Sequence, residues 1–278
     1  GNAVSLITTV LVDSSAPTAP TLSYSSISGS VLQDGTSNTL VHGQNTTGSF
    51  TVTASSTDTE TGVTYTFPAA PTGWSVSGTG ASRTYSFTAA AGSPASSTLS
   101  ITATNGAGTA STATTVTLTA FRVSSIVLAD GAGSTATQPD AGDTIKITYS
   151  GLINPQSFLS GWTTSGSQSA TTVTVRIVGN SSSVSTLTLI PGSGTLNFGS
   201  LALGGYAANG KTADYASSTI AWDATTNVLT ITLGGTSTFG SKDNTPPTPS
   251  YTPSASVTSV LGSGVALTTA AVTGSGAF

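Results

Sequence analysis

Short runs in which apolar and polar residues alternate recur along the whole chain, and this period of two limits what it can fold into. Ser49 to Ala54 (SFTVTA), Arg83 to Thr88 (RTYSFT), Thr144 to Tyr149 (TIKITY) and Thr172 to Val178 (TVTVRIV) are clear instances. Thr21 to Ile27, Val63 to Phe67, Gly73 to Ser77, Thr98 to Thr104, Thr114 to Phe121, Ser125 to Leu128, Ser185 to Ile190, Ser218 to Trp222 and Val228 to Leu233 complete the series. Successive strand side chains point to opposite faces, so such runs predict half-buried strands. Clusters of Gly, Ser, Asn and Pro separate them, and Asn105-Gly106-Ala107-Gly108 is a strong hairpin signal. Leu40-Val41 is a weak strand, and His42 after it reads as a loop residue. The only helical expectation is one turn over Pro155 to Leu159. The pattern predicts an all-β, antiparallel sandwich architecture.

A chain of 278 residues allows about two domains. The expected division is an extended strand and proline-rich linker over 1–20, a sandwich over 21–121, and a larger one over 122–278. Charged residues make up only 6% of the chain, against about 25% in an ordinary soluble domain. Arg83, Arg122, Lys146, Arg176, Lys211 and Lys242 are spread singly and the net charge is −4, which argues against nucleic acid or an anionic membrane as partner. No apolar run approaches the roughly 20 residues of a membrane-spanning helix, so membrane insertion is not expected. Without cysteine there are no disulfides and no thiolate metal sites. Gly1 in place of Met, with no basic and apolar leader behind it, reads as a mature or trimmed product. A nearly uncharged, Ser/Thr-coated β-protein is expected outside the cell, at its surface.

The first stretch, GNAVSLITTVLVDSSAPTAP, carries the functional expectation. Over residues 3 to 12, Val4, Leu6, Val10 and Val12 share one face with Thr8. Ile7 and Leu11 are the large residues of the other face. Pro17 and Pro20 then fix a short, semi-stiff linker. A strand standing before a linker satisfies neither its backbone nor its apolar face by itself, so it is expected to pair with another chain. The face of Val4, Leu6 and Val10 is expected to enter the partner. Gly1, Val4, Leu6 and Thr8 also match Gly262, Val265, Leu267 and Thr269, so the strand looks like the closing strand of a domain of the second type.

Candidate chemistry is sparse. His42 is the only histidine, and with scattered acids it does not suggest a triad or a metal pair. Asp13, Asp58 and Glu60 are a candidate Ca²⁺ site, because a hard cation takes oxygen ligands and these three lie in a linker and a loop. Asp130, Asp140 and Asp143 form a second acidic loop set; the other reading of both sets is turn formation. Lys146, in mid-strand, offers either an isopeptide crosslink or an exposed face and a blunted edge. Of the three tryptophans, Trp74 and Trp222 read as core. Trp162, in LSGWTTSG, reads as exposed and able to stack on a glycan. Asn45 and Asn180 open N-x-S/T sequons.

DTETGVTYTFPAAPTGWSVSGTGASRTYSFTAAA and ITATNGAGTASTATTVTLTA resemble the immunoglobulin-like repeats of large bacterial surface proteins, and VDSSAPTAP is similar to the linker between such repeats. AGDTIKITYSGLINPQSF and TIAWDATTNVLTITLG resemble the opening and a later hairpin of another such repeat. The resemblance implies two tandem immunoglobulin-like domains and a cell-surface setting, without a catalytic activity. Joined to the N-terminal strand, it leads to the expectation of a structural subunit, not an enzyme. Such a subunit polymerises with identical copies by donor-strand exchange. The alternative expectation is the stalk module of an adhesin or a glycan-binding surface protein.

Overall fold

The computed structural model describes residues 12–43, 46–89, 94–132, 138–181, 184–235, 248–260 and 271–278. The described chain is all-β, with one helical turn, α1 (Pro155–Phe158), which Asn154 caps by accepting from the Gln156 N–H. Contacts divide the chain into two compact units: Gly1–Leu40 with Thr46–Leu118, and Val41–Asn45 with Thr119–Phe278.

Nine strands fall in the first part: β1 (Thr21–Gly29), β2 (Val31–Gln33), β3 (Thr39–His42), β4 (Gly48–Ser55), β5 (Val63–Thr66), β6 (Ser75–Ser77), β7 (Ser82–Phe87), β8 (Ser97–Asn105) and β9 (Thr114–Ala120). They form a four-stranded sheet, β1-β4-β7-β6, and a five-stranded sheet, β2-β3-β9-β8-β5. Alternation decides which side chains meet. Phe50, Val52, Tyr85 and Phe87 from the first sheet pack with Leu40, Leu99, Ile101, Val116 and Leu118 from the second. Trp74 joins this core edge-on to Phe87, with ring centroids 4.7 Å apart. On the opposite face of the four-stranded sheet every outward position carries a hydroxyl. Thr21, Ser23, Ser25 and Ser28 of β1 stand against Ser55, Thr53, Thr51 and Ser49 of β4. Ser86, Thr84 and Ser82 of β7 follow, and then Ser75 and Ser77 of β6. Thr51 bonds Thr84 and Thr53 bonds Ser82, each at 2.8 Å.

The second unit continues with β10 (Val123–Ala129), β11 (Thr144–Tyr149), β12 (Gln168–Gly179), β13 (Ser185–Pro191), β14 (Gly199–Leu203), β15 (Thr212–Asp223), β16 (Val228–Thr232), β17 (Ser250–Pro253) and β18 (Val272–Thr273). All nine lie in one sheet, ordered β10-β11-β16-β15-β12-β13-β14-β17-β18. The named pairings are antiparallel, and the two outermost strands then meet. Val127 of β10 and Ser275 form a parallel bridge, so the sheet closes on itself. Inward positions carry Ile145, Ile147, Val175, Ile177, Tyr215, Ile220, Trp222, Leu229, Ile231 and Tyr251, all essentially inaccessible.

Several expectations need correction. His42 lies at the end of β3 and is buried, because alternation along Thr39–His42 turns Leu40 and His42 to the same side. Lys146 faces solvent on β11, which pairs with β10 and β16, so it does not sit on an edge strand. Ser250–Pro253, expected as part of a proline-rich loop, is strand β17, where Tyr251 finds a buried place.

Candidate functional site

The strand expected to act between subunits, including Val4, Leu6, Ile7 and Val10, lies outside the described residues. Val12 is described and is 72% exposed. Immediately after it the chain is tied down within the first unit. The Asp13 carboxylate accepts from Asn105 Nδ2 at 2.8 Å through one oxygen and from the Thr61 hydroxyl through the other. Asn105 Nδ2 also donates to the Ser15 carbonyl at 2.7 Å, and its Oδ1 accepts from the Thr109 N–H at 2.8 Å. The Ser15 hydroxyl donates to Glu60, and the Thr18 N–H donates to the Thr57 carbonyl at 3.0 Å. Asn105, 5% exposed, is the hub of this clamp. Residue 105 is a half-way point of the Asn-Gly hairpin. The turn chemistry that makes the hairpin legible therefore conceals the second duty of its side chain.

Asp58 completes the cluster. Its Oδ1 accepts from the N–H groups of Glu60 (3.0 Å) and Thr61 (2.8 Å), an Asx turn that shapes the SSTDTETG loop. The Thr61 N–H, with help from Glu60 and the nearby side chains, holds the Asp58 carboxyl below its usual pKa. Carboxylate oxygens of Asp13, Asp58 and Glu60 all lie within 4.8 Å of one another. The donor set is all oxygen, as Ca²⁺ requires. The two Asp13 oxygens accept hydrogen bonds from Asn105 and Thr61 and so clamp the linker with the protein's own groups, while the Asp58 bonds shape the loop; the carboxylates keep further lone pairs that could face a cation.

The acids of the second unit do something different. Asp143 is fully buried, and its two oxygens accept from the Gly131 N–H (2.9 Å) and the Asp140 N–H (2.8 Å). Burial raises its pKa, and Asp140 and Asp130 add to the rise. The carboxylate is a staple across the loop that leads into β11, joined there by Tyr215, whose hydroxyl donates to the Pro139 carbonyl at 2.9 Å.

Trp162 is 7% exposed, against the expectation of an exposed platform. Its ring stacks on Phe158 of α1 at 5.7 Å, and its Nε1–H donates to Thr171 Oγ1 at 2.8 Å, so one face and the polar edge are spoken for. It does line a cavity of about 240 Å³ with Thr171, Thr172, Val173, Pro191 and Ser193. His42 is held at Gly43, its Nδ1 lying 3.0 Å from that carbonyl, and burial lowers its pKa. Asn180 is exposed on the β12–β13 hairpin, while Asn45 lies outside the described residues. Among the described residues no helix is long and apolar enough to cross a membrane.

No protein-family model matches the chain, and neither a curated protein nor a solved structure matches it.

Proposed function

We propose that the chain is a structural subunit of an extracellular filament or surface assembly, made of identical copies joined by the N-terminal strand. The finer fold reading belongs with it: immunoglobulin-like sandwiches in tandem, carrying a donor strand in front. The observation that carries the proposal is the abrupt change at Val12 and Asp13. Val12 is 72% exposed, and the next residue is gripped by Asn105 and Thr61. A clamp at that point gives the alternating segment Ala3 to Val12 a fixed root in its own unit. The segment itself has the pattern of a strand that needs a partner. Such a strand binds by β-augmentation: main-chain hydrogen bonds give affinity, and alternate side chains filling pockets give register. A head-to-tail contact of this kind does not close into a ring, so it propagates.

Deleting residues 1–12 is the test. The truncated chain should keep both folded units, the one described residue it removes being the exposed Val12, and should lose assembly by size-exclusion chromatography and negative-stain microscopy. Polymers of ordinary length after the deletion would refute the reading. The cavity beside Trp162, walled by Thr171, Thr172 and Ser193, favours a second reading as a glycan-binding surface module. Strictly monomeric protein that retains glycans on an array would support that one instead.

A further inference from the structure

In the second unit β13 ends at Pro191, which stands opposite Val173, whereas β12 starts at Gln168. A proline in last place stops the ladder, because it has no N–H to donate. Gln168–Thr172 therefore run on past β13, and among the described residues no strand lies beside them on that side. The turn after α1 lies over this overhang instead. Trp162 is fixed there by several contacts. Its ring stacks on Phe158, its Nε1–H donates to Thr171 Oγ1, and its backbone N–H donates to the Leu159 carbonyl at 2.9 Å. Between the turn, the overhang and the residues after Pro191 lies the cavity of about 240 Å³.

The wall of this cavity selects a ligand by its chemistry. It carries no charged side chain, and the sequence has none between Lys146 and Arg176 or between Arg176 and Lys211. An ion that entered would lose its hydration and meet no counter-charge, so the ligand is neutral. The hydroxyls of Thr172 and Ser193 have no hydrogen-bond partner among the described residues, whereas Thr51 and Thr53 of the first unit are paired across strands. A hydroxyl both donates and accepts, and the overhanging strand adds N–H and C=O groups on its unpaired side. A ligand that answers them must itself be rich in groups that donate and accept. Trp162, Val173 and Pro191 supply an apolar side. The volume lies below the roughly 300 Å³ at which drug-sized pockets begin, so there is room for one ring and not for an added strand.

We propose that this cavity binds one neutral sugar ring, a free or chain-terminal hexose. Its hydroxyls meet Thr172, Ser193 and the overhang of β12, and its carbon–hydrogen face lies against Trp162 and Pro191. Trp162 shows only 7% of its surface, so it serves as a floor held in place beforehand, and the hydroxyls do the selecting. The inference rests on the glycan-binding reading above and adds the ligand class and the groups that hold it. It does not depend on how copies of the chain join.

The indole N–H of Trp162 is the reporter, since it bonds Thr171 on the cavity wall, while Trp74 and Trp222 are buried elsewhere and line no part of it. D-glucose, D-galactose, D-mannose and N-acetylglucosamine are titrated into the isotopically labelled full chain and followed by NMR. One or more of them should shift the Trp162 indole N–H and the amides of Thr171–Val173, with the other two indoles unmoved. Glucuronic acid and glucosamine, which carry a charge, should not. Trp162→Ala is avoided because it empties a buried place. Thr172→Ala and Ser193→Ala each remove a hydroxyl without a protein partner, so melting should be unchanged while affinity for the responding sugar falls about three- to tenfold. A Cβ at Gly192 meets nothing within 4 Å, so Gly192→Gln adds bulk at the wall without a clash and should abolish the shift. Shifts that survive all these variants overturn the site, and charged analogues that bind as well as the neutral sugars overturn the ligand class. If glycans are retained on an array and none of these sugars moves Trp162, the glycan reading stands and this cavity is the wrong place. If no glycan is retained and no sugar binds, both fall.

Discussion

The four-stranded sheet of the first unit ends on β1 and β6, and the five-stranded sheet on β2 and β5. Those edges are blunted locally. β2 and β6 have three residues each, β5 has four, and the long β1 is broken by a bulge between Ser25 and Ser28, with Ser26 at φ 50°. The second unit instead spends nine strands on one sheet and removes its edges by bringing β10 and Ser275 together. Open edges that are short and bent offer little to a partner strand. A closed sheet offers nothing except at its joint, and here the joint is a two-residue strand followed by one parallel bridge. Closure thus concentrates the pairing capacity of the second unit at one place, whereas the first unit disperses and suppresses its own.

The largest effects should come from the cores, and they separate the two units. Phe50→Ala empties a buried place between the two sheets of the first unit, and Trp222→Ala does the same inside the ring. Each should cost about 3–5 kcal/mol. Hydrogen exchange read residue by residue should show the loss of protection confined to the unit that carries the change. Equal loss in both would break the comparison by making the two one cooperative block.

Next comes the clamp. Asn105→Ala removes the donor to Asp13 and Ser15 and the acceptor for Thr109, and should cost about 1–3 kcal/mol in thermal unfolding. Because the bonds that hold Asp13 and Ser15 to Asn105 need no cation, EDTA is expected to leave the melting curve of the parent protein unchanged. A Ca²⁺-dependent rise would show that a cation shares the clamp, and at a hundredfold excess over Kd it would amount to about 2.7 kcal/mol.

The smallest effect sharpens the contrast, since the two acidic loops should answer acid in opposite directions. Asp58 has a depressed folded pKa, so its contribution is present above the unfolded value of about 3.9 and is lost as pH falls through the folded one. Asp143 has a raised folded pKa. Its ionisation therefore detracts from stability at neutral pH, and that loss is recovered as pH falls through the raised value toward about 3.9. Amide exchange at Thr61 and at Leu233, whose N–H donates to the Asp143 carbonyl, followed from about pH 7 to pH 4, should show Leu233 becoming better protected before Thr61 loosens. Parallel trends would contradict one of the two assignments.

The strands were readable wherever one face is buried and the other is wet. Thr144–Tyr149 is found with the limits its alternation predicts, and the Asn-Gly turn after β8 and the helical turn at Pro155 are where expected. Three short strands were not readable. Val31–Gln33 is too brief to show a period, Gly199–Leu203 starts on glycine, and Ser250–Pro253 ends on a proline that normally argues against a strand. The convergence of Asp13 with Asp58 and Glu60 followed from chemistry alone, since a linker acid beside an acidic loop is a plain pattern. Asn105 was hidden because its turn role explained it fully. Trp162 was misread because glycine and serine neighbours suggest a surface loop, while Phe158, four residues back on α1, supplies the cover.

The hydroxyl-coated face of the four-stranded sheet has a consequence for how this protein meets its surroundings. Its serines and threonines bond to one another across the strands, as at Ser28–Ser49 (2.8 Å) and Ser75–Ser86 (2.9 Å), and no ionisable group interrupts them. A surface without fixed charge gathers no counterion layer, and there is nothing for dissolved salt to screen over the Debye length of about 8 Å. What holds it apart from other matter is its bound water alone. Its wetting and its tendency to stick should therefore be the same in fresh water and in brine, and indifferent to acidity across the range in which carboxylates and amines change state.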